Sequence, residues 1–276
     1  MKNILRFILI SAFLGVFLSG CSNGNNEILT DETTLTTVRE SRQIDLENPE
    51  REVYENGFEF VYDEWTLSPI LQLDSEEWYA ANNSINDAWR VSLENGIVMI
   101  NESKYFDAFR FDLSDGYFIG ENHGEWGGTL TYNPLNGDSY SIENCNAVGM
   151  FSVENDFYLL EGISHLVLSD GYIFNVKMNN GKWELGDNIK LKGSPMAFTS
   201  KGDILYVVTD VAIIEVKKEA NTSAVLKASV LANHEFMSGL YPDSIVQVND
   251  TLYIGMRGGI LIFNLNNEES SWYTKK

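Results

Sequence analysis

Two segments in the carboxyl-terminal part of the chain share one residue pattern at a fixed distance. Asp203-Ile-Leu-Tyr-Val-Val aligns with Asp250-Thr-Leu-Tyr-Ile-Gly, and the two aspartates are 47 residues apart. Pro195 and Pro242 are also 47 residues apart, each eleven residues before the tyrosine of its segment. Two landmarks with one shared offset indicate an internal repeat. A repeat of this length restricts the chain to folds built from successive copies of one unit.

The same register extends toward the amino end of the chain. Tyr158, Tyr117 and Tyr79 occupy the position of Tyr206 and Tyr253, and the steps between these tyrosines are 38, 41, 48 and 47 residues. Each unit divides into four strand-sized pieces bounded by Gly, Asn and Asp. In the last unit the predicted strands are Asp243–Val248, Leu252–Met256, Ile260–Asn264 and Ser271–Thr274. In the second unit they are Phe106–Leu113, Tyr117–Glu121, Thr129–Asn133 and Ser139–Ile142.

Four antiparallel strands in a repeat of about 40 to 50 residues are the signature of a β-propeller blade. The five units resemble a five-bladed β-propeller of the degenerate YVTN or WD-like kind. We therefore predict an all-β fold of five four-stranded blades over residues 52–276, with a two-sheet β-sandwich as the alternative. Phe58–Tyr62 (FEFVY) predicts an extra strand that pairs with the last blade.

The first twenty residues predict an export signal. Lys2 and Arg6 precede an apolar run over residues 8–17, and small residues follow it. A basic start, a short apolar region and a small-residue cleavage site are typical of a secretory signal peptide. Ordinary secretion and an uncleaved membrane anchor are the alternatives to attachment through a lipid.

The end of this signal, Leu18-Ser19-Gly20-Cys21, resembles the lipobox of bacterial lipoproteins. That resemblance implies cleavage before Cys21 and attachment of diacylglycerol and an amide-linked acyl chain, such as palmitate, to this cysteine. The mature protein is then anchored in the cell membrane or the outer membrane, with its domain outside the cytoplasm. Residues 21–51 are predicted to be the lipidated cysteine and a flexible stalk, because their polar composition buries too little apolar surface to order them.

The chain is strongly acidic, with a formal net charge of −21. Removing the predicted signal, which carries two basic residues and no acids, makes the charge −23. Such a chain repels nucleic-acid phosphates and anionic lipid headgroups, so we expect no nucleic-acid partner and assign membrane attachment to the lipid. Cys145 is left without an intrachain partner if Cys21 is lipidated, and no motif around it indicates a nucleophile.

The repeat register also predicts a binding face. In a propeller, the turns between the second and third strands and the connections between blades lie on one face, around the central channel. The candidate ligand-binding residues placed there are His123, Glu125, Trp126, His165, Asp210, His234, Phe236 and Arg257. The loop Gly120–Gly128 is the most unusual of these segments, and Trp126 offers either a stacking surface or a plug for the channel. The three histidines lie in different units, and no metal or cofactor motif accompanies them.

These features predict a lipid-tethered, non-enzymatic binding protein with an unknown protein, peptide or glycan partner. The alternative is a glycan-active hydrolase with carboxylates in the propeller channel, because paired acids perform glycoside hydrolysis. The acids available for that role are Glu121, Glu125, Glu161 and Asp210.

Overall fold

The computed structural model describes residues 39–40, 64–84, 87–103, 108–166, 168–218 and 226–276. All of them belong to one compact unit, Thr37–Lys276. The predicted lipidation site Cys21 and the predicted strand Phe58–Tyr62 lie outside these ranges. Within the described residues, no helix is long and apolar enough to cross a membrane.

The fold is all-β, and the described residues contain a single α-helix. The first elements are β1 (Arg39–Glu40), β2 (Trp65–Ser68), α1 (Glu76–Asn83), β3 (Trp89–Glu94) and β4 (Ile97–Glu102). They are followed by β5 (Ala108–Leu113), β6 (Gly116–Asn122), β7 (Gly128–Pro134), β8 (Tyr140–Glu143), β9 (Ala147–Val153), β10 (Asp156–His165), β11 (Leu168–Asn179) and β12 (Lys182–Lys190). The last are β13 (Pro195–Lys201), β14 (Ile204–Thr209), β15 (Ala212–Lys218), β16 (Leu226–Asn233), β17 (Ser244–Val248), β18 (Thr251–Met256), β19 (Gly259–Asn264) and β20 (Ser270–Lys275). Short 3-10 helices lie at Gly124–Trp126 and Glu235–Met237.

The strands form five sheets that follow one another along the chain. They are the β3–β4 hairpin and the antiparallel sheets β5–β8, β9–β12, β13–β16 and β17–β20. Two edges carry an additional strand, because β1 pairs parallel with β5 and β2 pairs antiparallel with β20. The first strands of neighbouring sheets pack beside each other: β5 with β9, β9 with β13, and β13 with β17. The first strand of the last sheet, β17, packs beside β3 of the hairpin.

Among the described residues, four apolar cores lie between neighbouring sheets. Three of them lie between sheets that are consecutive in the chain, from β5–β8 to β17–β20, and the fourth lies between the β17–β20 sheet and the β3–β4 hairpin. Alternation along β14 shows how one strand supplies two of them: Leu205 and Val207 join the core shared with the β9–β12 sheet, while Tyr206 and Val208 join the core shared with the β17–β20 sheet. Successive residues of a strand point to opposite faces, so a sheet covered on both sides needs apolar residues at every position. This requirement explains the near-continuous apolar run that marks the repeat.

The predicted strands of the last unit are confirmed to within one residue at each end. In the second unit, β6, β7 and β8 also agree with the prediction to within one residue. The remaining predicted strand of this unit, Phe106–Leu113, is confirmed over Ala108–Leu113, and its first two residues lie outside the described ranges. The repeated tyrosines Tyr158, Tyr206 and Tyr253 are buried core residues.

The prediction of four strands in the first unit is wrong. Tyr79, placed in a strand by the register, lies in helix α1, and the described residues of this unit form one sheet of their own, the hairpin β3–β4. Ser75 begins the helix, because its side chain accepts a hydrogen bond from the Trp78 N–H at 3.1 Å. Glu76 and Glu77 occupy the first turn, where carboxylates interact favourably with the helix dipole. These local signals outweigh the sequence match to the repeat.

The additional strand on the last sheet is β2. Trp65 pairs with Lys275 and Ser68 pairs with Trp272, so β2 extends the sheet beyond β20. The Trp65 ring also contacts the Trp89 ring edge-on, with centroids 5.1 Å apart. The segment before helix α1 therefore connects the last sheet to the hairpin.

Candidate functional site

Turns within the sheets and connections between them lie beside each other at one end of the sheets, here called the loop end. Four backbone hydrogen bonds join the two kinds of loop there. They run from Cys145 to Gly128, from Gly162 to Asn146, from Asp210 to Ser194 and from Arg257 to Leu240, at 2.8 to 3.2 Å. All eight candidate residues lie in or next to loops at this end of their own sheets, but they do not form one site.

The turn between β6 and β7 has a defined shape. Asn122 Oδ1 accepts a hydrogen bond from the Gly124 N–H at 2.9 Å, and the His123 N–H donates to the Gly127 carbonyl at 2.8 Å. Gly124 and Gly127 have φ of 60° and 84°, a region that glycine adopts without steric cost. The resulting 3-10 turn leaves Trp126 85% exposed, so this side chain does not plug a channel.

The turn between β6 and β7 contacts the turn between β10 and β11, which belongs to the neighbouring sheet. Glu125 Oε2 lies 3.2 Å from His165 Nε2, and both side chains are partly exposed. Two leucines follow His165: Leu166, with φ of 52° and 92% exposure, and Leu168, which is 51% exposed. We call Glu125, Trp126, His165, Leu166 and Leu168 the Trp126 corner. His123 is exposed on the same turn.

Asp210 is not a surface residue, because its exposure is 3%. Its carboxylate accepts hydrogen bonds from the Ser194 N–H and the Ser169 hydroxyl at 2.9 Å and from the Ser164 hydroxyl at 3.1 Å. Two of these donors belong to the β9–β12 sheet, whereas Asp210 follows β14. The buried carboxylate therefore joins two sheets, and the prediction that it contacts a ligand is not supported by its position.

His234 and Phe236 are also largely withdrawn from solvent. His234 Nε2 is 2.7 Å from the Ser270 hydroxyl, and burial lowers the pKa of this histidine from its ordinary value. Phe236 packs edge-on against Trp272, and its carbonyl accepts a hydrogen bond from Trp78 Nε1 at 2.7 Å. Phe236 therefore packs the loop end of the last sheet against helix α1, while His234 contacts Ser270 in β20.

Arg257 contacts the other end of the same helix. Its guanidinium lies over the Tyr241 ring at 4.1 Å, and Nη1 donates to the Asn82 carbonyl at 3.3 Å. A cation at a helix C-terminus is favoured by the helix dipole. Close approach of the helix also depends on Gly258, where a Cβ would lie 2.6 Å from that of Ala81.

The predicted single face is therefore divided. Helix α1 lies on the loop end of the β17–β20 sheet and engages Phe236 and Arg257, Asp210 is buried between sheets, and the Trp126 corner is open. Among the described residues, no three His, Cys, Asp or Glu side chains are grouped as metal ligands.

The four acids considered for hydrolysis point to different places. Asn122 contacts the β9–β12 sheet through the Gly162 carbonyl, so the preceding residue, Glu121, points to the opposite face of its own sheet. Glu161 shares a face of β10 with His165, toward the β5–β8 sheet, and burial raises the pKa of its carboxyl above the ordinary value. The β5–β8 sheet thus separates Glu121 from Glu161.

Glu125, Glu161 and Asp210 do not pair either. Glu161 lies four residues before His165, the contact of Glu125, which is about 13 Å along a strand. Ser164 directs the Asp210 contact to the other face of β10. Glu161 and Asp210 therefore lie on opposite faces of β10.

Cys145 is a buried free thiol. Burial, followed by the carboxylates of Glu161 and Glu143, raises its pKa to about 12. A thiol in this environment stays protonated, so it is not a nucleophile at neutral pH.

The residues that sequence reasoning missed are Leu166, Leu168, Ser164 and Ser169. The two leucines belong to a short apolar run after His165, which reads as part of a buried strand. Their exposure depends on the left-handed conformation of Leu166, which no local pattern indicates. The serines are uninformative in sequence because hydroxyl groups are common in turns.

Comparison with known proteins adds little to this description. No family model and no curated protein sequence matches the chain. Among solved structures, apo AztD from Citrobacter koseri is similar over 64% of this chain and 52% of its own, with 11% sequence identity and a TM-score of 0.35. The chain thus spans about half the length of that protein, and a likeness at this level supports no conclusion about function.

Proposed function

We propose that this protein is a membrane-tethered, extracytoplasmic lipoprotein whose β-propeller domain binds a macromolecular partner at the Trp126 corner without catalysing a reaction. The observation that carries the proposal is the exposure of Trp126 and Leu166, 85% and 92%, on two turns joined by the Glu125–His165 contact. Contiguous exposed apolar side chains of this size are typical of interaction sites.

The conformation of Leu166 strengthens this argument. An L-residue with positive φ carries a backbone cost of about 1 kcal/mol, and a bulky aliphatic residue is rarely found there. Leu166 combines this cost with the exposure of an apolar side chain, and neither contributes to the cores. Strain of this kind is typical of functional positions.

The arrangement of the sheets supports the propeller part of the proposal. Three cores lie between the four consecutive sheets β5–β8 to β17–β20, and a fourth core lies between the last of these sheets and the β3–β4 hairpin, whose strand β3 packs beside β17. A two-sheet sandwich has one core between two faces, whereas here the β9–β12, β13–β16 and β17–β20 sheets are each covered on both faces. The hairpin β3–β4 is then a reduced first blade.

The tether rests on the sequence that ends at Cys21. Its test is mass spectrometry of the amino-terminal peptide of the protein made in a bacterial host, together with the Cys21→Ser variant. We expect a diacylglyceryl modification on Cys21 of the wild-type protein. The Cys21→Ser variant should either move from the membrane fraction to the soluble fraction or remain as the unprocessed precursor. An unmodified cysteine in the membrane fraction would refute the tether.

The binding site is tested with Trp126→Ala in the full chain. Leu135→Ala is the matched control, because Leu135 is 70% exposed but lies in the turn between β7 and β8, at the other end of its sheet. Chemical crosslinking in intact cells should yield a partner adduct with the wild type and the control, and lose it with Trp126→Ala. Burial of a tryptophan side chain contributes about 1.5 to 3 kcal/mol, so the adduct should fall by tenfold or more.

Stability is the second readout for these variants. Both side chains are exposed, so both substitutions should leave the thermal melt nearly unchanged. Retention of the adduct by Trp126→Ala, with an unchanged melt, would exclude the corner as the binding site.

A further inference from the structure

We infer that the Trp126 corner takes a polypeptide segment in which an apolar side chain stands next to lysine or arginine, with Glu125 as the acidic contact. This inference rests on the proposed function and specifies the class of partner. It joins two observations: the apolar surface of the corner and the charge beside it.

The apolar surface is made by Trp126, Leu166 and Leu168. The corner thus combines a rigid aromatic side chain with two exposed aliphatic side chains, and aromatic side chains are enriched at the centre of protein interfaces. A glycan fits this surface poorly. Sugar hydroxyls need hydrogen-bond partners when they leave water, and the two leucine side chains offer none.

The charge beside this surface is negative. Glu125 immediately precedes Trp126, its side chain is 45% exposed, and its present contact is the His165 imidazole. An imidazole carries a positive charge only when it is protonated, whereas lysine and arginine side chains are always charged at neutral pH. A lysine or arginine side chain of the partner therefore makes a charge-assisted hydrogen bond to this carboxylate.

A lysine of the adjacent strand β12, Lys190, is already engaged. Lys190 Nζ lies 2.9 Å from Asp170, a residue of β11 just beyond Leu168. Its charge is thus compensated inside the protein and does not oppose a cationic partner. The net charge of −21 over the chain favours the approach of a basic segment at long range.

A lipid bilayer is the competing occupant, because tryptophan and leucine also enter membrane interfaces. The position of Glu125 argues against it. Insertion of Trp126 brings the neighbouring carboxylate into contact with lipid, where an ionised acid loses hydration, and anionic headgroups repel the acidic domain.

The test uses the full chain in nanodiscs of zwitterionic lipid. A library of random short peptides displayed on phage is depleted on empty nanodiscs and then selected on the protein. We expect the enriched sequences to carry Lys or Arg beside Leu, Phe or Trp. One enriched peptide is then synthesised, labelled with a fluorophore and titrated by anisotropy.

Four variants separate the contributions in that titration. Glu125→Gln should weaken the peptide about tenfold, in keeping with the loss of one charge-assisted contact. Trp126→Ala should weaken it at least as much. The control Glu154→Gln removes an equally negative, exposed acid that pairs with Lys218 in the turn between β9 and β10, and it should have no effect. Leu135→Ala is the apolar control.

The outcomes distinguish the inference from the function on which it rests. Peptides without a basic bias, or an unchanged affinity with Glu125→Gln while Trp126→Ala abolishes binding, would overturn the partner class and leave the site. Equal binding to Trp126→Ala, or no enrichment, would overturn both. Sedimentation of Cys21→Ser protein with phosphatidylcholine vesicles that depends on Trp126 would overturn the inference in favour of a bilayer.

Discussion

Replacement of Asp210 tests whether the carboxylate of this candidate binding residue instead stabilises the fold through hydrogen bonds to the neighbouring sheet. Oδ1 accepts hydrogen bonds from the Ser194 N–H and the Ser169 hydroxyl, and Oδ2 accepts one from the Ser164 hydroxyl. A hydrogen bond to a charged group contributes about 1.5 to 3 kcal/mol, and a buried donor left without a partner costs about 1 to 3 kcal/mol. The three bonds are not additive, because Ser169 Oγ is 3.2 Å from the Ser194 nitrogen and can accept from it when the carboxylate is absent.

We therefore expect Asp210→Ala to lower the free energy of unfolding by about 3 kcal/mol. Asp210→Asn should cost only about 1 kcal/mol, because the amide oxygen replaces Oδ1 for both of its donors and the amide nitrogen can donate to Ser164 after its hydroxyl rotates. The assay is urea-induced unfolding followed by tryptophan fluorescence at constant detergent concentration. Ser141→Ala is the control, since it removes an exposed hydrogen bond to Thr131 and should cost about 0.5 kcal/mol or less.

Two results would refute this reasoning about Asp210. One is an Asp210→Ala variant as stable as the wild type, which would mean that the three hydrogen bonds contribute nothing net. The other is an Asp210→Asn variant as unstable as Asp210→Ala, which would mean that charge rather than hydrogen-bond geometry matters at this position.

Three further predictions concern helix α1 and two partly buried ionisable groups. Gly258→Ala should lower the melting temperature more than Gly96→Ala, because both glycines have positive φ but only at Gly258 does the new Cβ collide, at 2.6 Å, with Ala81; equal shifts would show that the helix moves freely. Burial lowers the pKa of His234, so the folded state loses stability as pH falls below the ordinary value of 6.5, where the unfolded chain takes up a proton that the folded chain resists. His234→Asn should therefore lose less melting temperature than the wild type between about pH 7.5 and pH 5.5, and an equal loss would contradict the assignment. Burial raises the pKa of the Glu161 carboxyl, so the ionised carboxylate lowers the stability of the folded state above that pKa. Glu161→Gln should therefore raise the melting temperature at neutral pH but not near pH 4. A lower melting temperature at neutral pH would mean that the fold needs the carboxylate.

The strands could be predicted from sequence wherever the repeat register and local patterning agreed. Tyr206 and Tyr253 sit in apolar runs bounded by turn residues and lie in strands β14 and β18, and β18 agrees with its predicted bounds to within one residue. Tyr79 matched the same register, but Ser75 and two acidic residues precede it and start a helix. The register alone could not reveal this, because a repeat that has lost strands keeps part of its sequence pattern.

The candidate site was less predictable than the fold for a physical reason. The register places a residue at one end of a sheet, but the direction of a loop side chain depends on the backbone conformation of a few residues. The left-handed conformations of Gly127 and Leu166 expose the Trp126 corner, while the serines around Asp210 bury that carboxylate. Neither can be derived from spacing.

Helix α1 explains why the last sheet and the Trp126 corner differ in what they offer a partner. Trp78 of the helix is buried against Phe236, and Arg257 donates a hydrogen bond at the C-terminal end of the helix. The aromatic and cationic groups at the loop end of the last sheet therefore make contacts within the protein. At the Trp126 corner, the described residues supply only the Glu125–His165 contact, which involves two partly exposed side chains and contributes little to stability. An exposed tryptophan and a strained, exposed leucine at that position do not stabilise the fold; under the proposed function, burial by a partner recovers the transfer free energy of both side chains.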